Sequence, residues 1–345
     1  MKRCLSAIHL TAIGIPGAVF GLWCTLVIYY HAPFSPVFCA MLYGAALFAA
    51  LGLTLTRKFR IPAAAAAALL VATALIRWFT LSASNDRDWQ TPWAKMPYAE
   101  RDGSALTIHD IRDFRYRSEN DYDIRYLTET YDLDRLSAVE LILSYWDGNQ
   151  KVAHTMLGFS FSDGRQLVVS SETRLQKGQL QNGLAGLFRQ YQTLYVFGTE
   201  SDLLMLRTNF RGEDVYLYPT VTTPAEARIL LLDLVERANR LRAKPAFYNT
   251  LTDNCSTSLV PSLRKIRPPG GWDKRILMNG LADEMTFERG WLKHDPGTSF
   301  AEYKARHGIS AKMKTCADPE QYSAQLHAAD AESSATRERG QSRIR

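Results

Sequence analysis

The sequence predicts an α+β protein in two parts, three N-terminal membrane-spanning helices followed by a β-rich domain framed by helices. Two observations carry this. The first 83 positions hold three long runs with almost no charge, and from about Leu106 the chain alternates apolar and polar residues in short β-favouring segments. With 345 residues and 46% hydrophobic content it can bury a sizeable core.

The apolar runs cover roughly Leu5–Tyr30, Pro36–Thr56 and Ile61–Ser82. Each reaches the ~20 residues that a helix needs to cross a hydrocarbon core. A cleaved signal peptide would have one apolar region of ~7–15 residues, whereas here two further runs follow at once. Lys2 and Arg3 precede the first run, the loop His31–Ser35 has no Lys or Arg, and Arg57, Lys58 and Arg60 fill the second loop. The positive-inside rule therefore puts the N-terminus and the second loop in the cytoplasm. Three crossings then leave everything beyond about Ser84 outside, in the periplasm of a bacterial inner membrane.

The expected organisation is a membrane anchor over 1–83, a polar linker over 84–105, a catalytic domain over 106–303 and a disordered tail over 317–345. Linker residues Trp89, Trp93 and Tyr98 are of the kind found at a bilayer interface. Strands are expected at Leu106–Tyr116, Tyr122–Tyr131, Ser137–Trp146, Val152–Phe161, Arg165–Glu172, Leu203–Asn209 and Asp214–Tyr218. Helices are expected at Gly183–Tyr191 and Ala225–Leu241. The second helix is announced by Thr223-Pro224-Ala225-Glu226, a capping box with proline at the first helical position. The Ser-rich, charged tail is too polar to pack.

Cysteines stand at 4, 24, 39, 255 and 316, and only the last two belong to the outer domain. This sparse set has no C-x-x-C spacing, so it is neither a zinc site nor a disulfide framework, although Cys255 and Cys316 could pair. No metal and no cofactor is expected. The net charge of +6 is spread along the chain without a nucleic-acid motif, which suits an anionic membrane surface better than DNA or RNA. Oligomeric state is not legible.

Cys255 follows the polar stretch Tyr248-Asn249-Thr250-Leu251-Thr252-Asp253-Asn254 where a helix is expected to begin, with Asn254 as its N-cap. A thiol there faces unpaired N–H groups and the positive end of the helix dipole, which lower its pKa from about 8.5 into the ~3.5–7.5 range. Pro261 should keep this helix short or kinked. Upstream, His154 precedes a Ser162-Asp163-Gly164 turn and a return strand ending at Glu172. A three-residue loop pairs Phe161 with Arg165 and sets His154 opposite Glu172, with Cβ atoms about 4.5–5.5 Å apart. A two-residue Asp163-Gly164 loop would pair His154 with Thr173 and turn Glu172 to the other face. In the first register Cys255 is the nucleophile, His154 its base and Glu172 the orienter of the imidazole. Tyr248, Asn254, Arg174 and Asn209 are the candidates to contact substrate.

Four ordered stretches, Ile111–Ser118, His154 through Arg174, Arg207–Pro219 and Tyr248–Ser258, together resemble the Lnb N-terminal periplasmic domain family over about Leu106–Leu263. Their His-first, Cys-last order is also similar to circularly permuted papain-like folds such as the lecithin:retinol acyltransferase group. The resemblance implies a permuted papain-like domain, a thiol acyltransferase acting on a membrane lipid or lipoprotein ester, and the roles of Cys255, His154 and Glu172. Two other functions fit the same residues, a cell-wall Cys amidase or peptidase and a non-catalytic envelope binding module.

Overall fold

The computed structural model describes residues 2–328 except 147, 268–270 and 272, with side chains from Ile15 onward. The chain divides into two compact units, Met1–Ser84 with Gln181–Tyr191, and Asn85–Leu180 with Gln192–Arg345.

The first unit contains α1 (Lys2–His31), α2 (Pro36–Leu53) and α3 (Arg60–Thr80). Among the described residues, α2 and α3 are long and apolar enough to cross a membrane, while α1 contributes the shorter apolar stretch Ile15–His31. Three full spans were expected; two are found among the described residues, whose side chains begin at Ile15 within α1. Val37, Met41, Leu69 and Phe79 all face outward, exposed. In water they would leave a large apolar surface uncovered, whereas lipid accommodates it. The insertion Gln181–Tyr191 belongs to this unit too. Its helix α4 (Gly183–Gly186) is shorter than the expected Gly183–Tyr191. Arg189 takes a positive φ, and its guanidinium donates to the Trp78 carbonyl at 2.8 Å. Phe188 stacks on Tyr30, and its carbonyl lies 2.7 Å from the His31 imidazole.

The second unit is built on strands β1 (Tyr98–Asp102), β2 (Ala105–Arg112), β3 (Arg115–Tyr116), β4 (Tyr122–Asp123), β5 (Tyr126–Asp132), β6 (Leu136–Tyr145), β7 (His154–Phe161), β8 (Gln166–Arg174), β9 (Gln192–Gly198) and β10 (Asp214–Pro219). β3 and β4 form a separate ribbon, and the rest make one sheet in the order β1-β2-β9-β8-β7-β6-β10, with β5 also on β2. Among the described strands, only the β2–β9 contact is parallel. Alternation along each strand sends side chains to two cores. Leu157, Phe159, Leu167, Val169, Tyr195 and Phe197 pack on one face with Leu230, Leu231 and Leu234 of α6 (Pro224–Ala243). Met156, Val168, Leu194 and Val196 pack on the other with Leu203 and Leu204 of α5 (Glu200–Met205). The capping box opens α6 as expected, with both reciprocal bonds present.

Beyond α6 come α7 (Val260–Leu263), α8 (Ala282–Glu288), α9 (Phe300–Arg306), α10 (Ser310–Met313) and a further helix, α11, over 319–328.

Three expectations are corrected. The segment over 84–105 is no free linker: it carries β1, and Trp89 is buried. Leu203–Asn209 is helical, running from α5 into a wider turn over Leu206–Arg211. A short wholly buried run does not reveal its period, and the Thr199 side chain caps a helix by accepting from the Asp202 N–H. The tail expected to be disordered from 317 instead forms α11, whose Tyr322 and Leu326 are fully buried. Ser323 and His327 on the same helix also bond the Glu200 carboxylate, so polar and apolar contacts together hold the segment; residues 329–345 lie outside the described residues.

Candidate active site

The β7–β8 hairpin fixes the first half of the site. Met156 pairs with Ser170 and Ser160 with Gln166, the register of the three-residue loop, which by alternation sets the side chains of His154 and Glu172 on one face. Gly164, at φ 87°, supplies the left-handed turn residue this loop needs, and its N–H closes the turn on the Phe161 carbonyl at 3.0 Å. The His154 Nε2 lies 3.1 Å from Glu172 Oε1 and 2.6 Å from Ser170 Oγ. Ser170 in turn donates to Glu172 Oε1 at 2.7 Å, so imidazole, hydroxyl and carboxylate form one closed triangle. Arg207 stands behind it, fully enclosed, with Nη2 3.6 Å from Glu172 Oε1 and Nε 3.7 Å from Glu213 Oε2.

The other half comes from the opposite face of the sheet. Asn254 Oδ1 accepts from the Ser256 and Thr257 N–H groups at 3.0 and 2.9 Å, while Thr257 Oγ1 accepts from the Asn254 N–H. This is N-cap geometry, and it leaves Cys255 as the first residue of a helical turn closed by Ser258 N–H on the Asn254 carbonyl. The α-helix proper spans only Val260–Leu263, because Pro261 has no N–H to continue the ladder. Ser256 locks the turn to β7 through a 2.7 Å hydrogen bond to Thr155. The Cys255 sulfur is half-buried, 3.8 Å from the Ala153 carbonyl, and close enough to the His154 imidazole for the two to shift each other's pKa. With Nε2 held by Glu172 and Ser170, Nδ1 is the ring nitrogen left for the thiol.

The electrostatics follow from this arrangement. Burial alone would raise the Cys255 thiol, but the His154 hydrogen bond and charge, with the Thr155 backbone N–H, bring it below its usual value. Burial would lower His154, yet Glu172 and the thiol raise it to about 9. Burial would raise Glu172, and the imidazole, Arg207 and Ser170 instead hold it well below the ordinary carboxylate range. All three shifts favour a thiolate–imidazolium–carboxylate array.

Of the other candidates, Tyr248 lies within electrostatic reach of Cys255, with its hydroxyl bonded to Thr173 and Thr250. Asn254 serves as the cap. Arg174 and Asn209, also expected to contact substrate, are held by other partners. The Arg174 guanidinium is buried, stacks on Trp89 at 4.1 Å and donates to Asn85 Oδ1 and to the carbonyls of Trp93 and Ala94. It fastens the segment that was expected to be a linker. Asn209 donates to the Cys316 carbonyl at 2.7 Å. Cys255 and Cys316 are both free thiols, Cys316 lying in the core on the far side.

Residues 122–278 match the model of the Lnb N-terminal periplasmic domain. That segment belongs to this family. No curated protein and no solved structure matches the chain significantly. The Lnb domain thus holds His154, Glu172 and Cys255 in one α+β unit, and apolar helices of membrane-crossing length precede it, as befits a periplasmic domain of a membrane protein.

Two residues of the site escaped the sequence reading. Ser170 had a signal, since it lies two residues before Glu172 and so shares its face. Asn279 had none: its Nδ2 donates to Cys255 Sγ at 3.1 Å from a loop 24 positions away.

Proposed function

We propose that this chain is a membrane-anchored thiol acyltransferase or hydrolase that acts on a lipid or lipoprotein ester at the outer face of the inner membrane. Cys255 is the nucleophile, His154 the base and later acid, and Glu172 the orienter. The observation that supports this most strongly is His154 held by Glu172 at 3.1 Å beside a half-buried thiol whose pKa the imidazole lowers. His154 takes the thiol proton, sulfur bonds to the ester carbonyl carbon, and the alcohol leaves with the proton held on His154. The thioester then passes its acyl group to an amine or to water, with His154 taking the proton of the incoming group. The papain-like comparison rests on this order of residues alone.

The basic residues Lys2, Arg3, Arg57, Lys58 and Arg60 support a cytoplasmic N-terminus, three crossings by α1 to α3 and a periplasmic Lnb domain. A tether of this kind favours a substrate presented at the bilayer surface, because encounter becomes effectively intramolecular. Incubating the purified protein with a diacyl lipopeptide and, separately, with peptidoglycan fragments tests the reading. Release or migration of acyl chains from the lipopeptide, absent in Cys255→Ala, is the expected outcome. Cleavage of the peptidoglycan peptide alone would replace the reading with a cell-wall amidase.

A further inference from the structure

The structure assigns to Asn279 the part of a catalytic donor: its side-chain amide hydrogen-bonds the Cys255 sulfur in the resting site and passes that bond to the oxyanion when an acyl ester is attacked. The second half of this inference rests on the acyl-transfer reading above; the first does not. Asn279 lies one position beyond the segment matched to the Lnb domain, so the family match does not include it.

The orientation of the amide is fixed by its neighbours. Oδ1 accepts from the Ala153 N–H at 3.1 Å, and Nδ2 donates to the Ala153 carbonyl. Turning the amide over would set donor against donor and acceptor against acceptor, so Nδ2 must occupy its present place. One Nδ2 hydrogen serves Ala153, and the second is left for Cys255 Sγ at 3.1 Å. A donor at that position stabilises the thiolate. When sulfur bonds to a carbonyl carbon and the C=O electron pair moves onto oxygen, the negative charge moves from sulfur to the oxygen two bonds away. The same N–H then serves that oxygen together with the Cys255 backbone N–H at the start of its turn. On collapse the C–O bond to the leaving alcohol breaks, and the alcohol takes its proton from His154.

The loop is built to hold this amide. A Cβ on Gly280 would come within 2.5 Å of the Gln150 carbonyl oxygen, so only glycine permits the approach that brings Asn279 to Ala153. The Gly280 N–H bonds the Lys151 carbonyl at 3.1 Å, and the Tyr145 hydroxyl lies 2.7 Å from the Gly280 carbonyl. That hydroxyl is set by buried Asp283, which also takes the Tyr218 hydroxyl at 2.9 Å and Lys304 at 2.9 Å. Asn279 itself is buried. These contacts hold the backbone next to Asn279, whose amide reaches the sulfur.

The test uses the full chain in detergent micelles, with Asn279→Ala, Asn279→Asp and Asn279→Gln. Iodoacetamide modification of the Cys255 peptide is followed by mass spectrometry across pH, and turnover of a soluble p-nitrophenyl acyl ester is measured in parallel. The alkylation midpoint of Cys255 should rise in Asn279→Ala and further in Asn279→Asp, with partial return in Asn279→Gln. The kcat for the ester should fall about 10²-fold with little change in KM. Asn279→Asp keeps the acceptor for Ala153, so it reports even if the alanine variant fails to fold. An unchanged midpoint and kcat in a folded variant would overturn the assignment and leave Asn279 as a clamp on Ala153. If the unaltered chain turns over no acyl ester, the acyl-transfer reading and the oxyanion step fall together, while the midpoint still decides the contact with sulfur.

Discussion

His154 carries the electrostatic balance of the site, because its charge is what lowers the Cys255 thiol and is itself held by Glu172. Replacing Glu172 by Gln removes the largest influence that raises the imidazole, so the His154 pKa should fall and the Cys255 alkylation midpoint should rise, both readable by pH titration. Stability changes with a definite sign. His154, raised to about 9, adds stability in full below its unfolded value of about 6.5 and loses it as pH climbs through about 9. Glu172, depressed, adds stability above its unfolded value of about 4.3 and loses it only as pH falls through its lower folded value. The Tm difference between the unaltered protein and Glu172→Gln should therefore be greatest between about pH 4.3 and 6.5 and shrink toward pH 9. The pairing of His154 with Glu172 was legible because side-chain alternation and loop length limit a hairpin to few registers. The burial of Arg174 was not, since nothing local marks an arginine whose partners lie some 80 positions away at Trp93 and Ala94.

Among the elements, the turn that begins at Asn254 controls the thiol. Asn254→Ala removes the acceptor for two N–H groups, at a cost of about 1 kcal/mol, and should lower Tm together with Cys255 reactivity. A Tm loss with unaltered alkylation would show that the cap steadies the fold without aiming the sulfur. The capping box at Thr223 and the stop at Pro261 were readable because each acts within one turn of helix. The helical state of Leu203–Met205 was not, because apolar residues buried on all sides leave no stripe to read. α11 shows the same limit from the other side: Leu326 disappears into a core made by β6 to β10 and α5, which composition cannot foresee. Leu326→Ala should cost about 3 kcal/mol, measured by denaturant unfolding; a neutral result would mean that α11 does not belong to the folded core.

Across the whole molecule, apolar helices and a Lnb domain with a primed thiol occur in one chain. If the helices serve to bring the domain to lipid, a chain lacking 1–84 should lose turnover of vesicle-borne diacyl lipopeptide while keeping turnover of a short soluble ester. Equal loss of both would mean that the helices are needed for the fold of the site itself. The most direct measurement is a search for the covalent intermediate. Purified protein is quenched in acid during turnover of an acyl ester, and the Cys255 peptide is weighed. A mass increase of one acyl group on Cys255 is expected, absent in Cys255→Ala and strongly reduced in His154→Ala. Turnover with an unmodified Cys255 peptide, or with undiminished rate in Cys255→Ala, would contradict it.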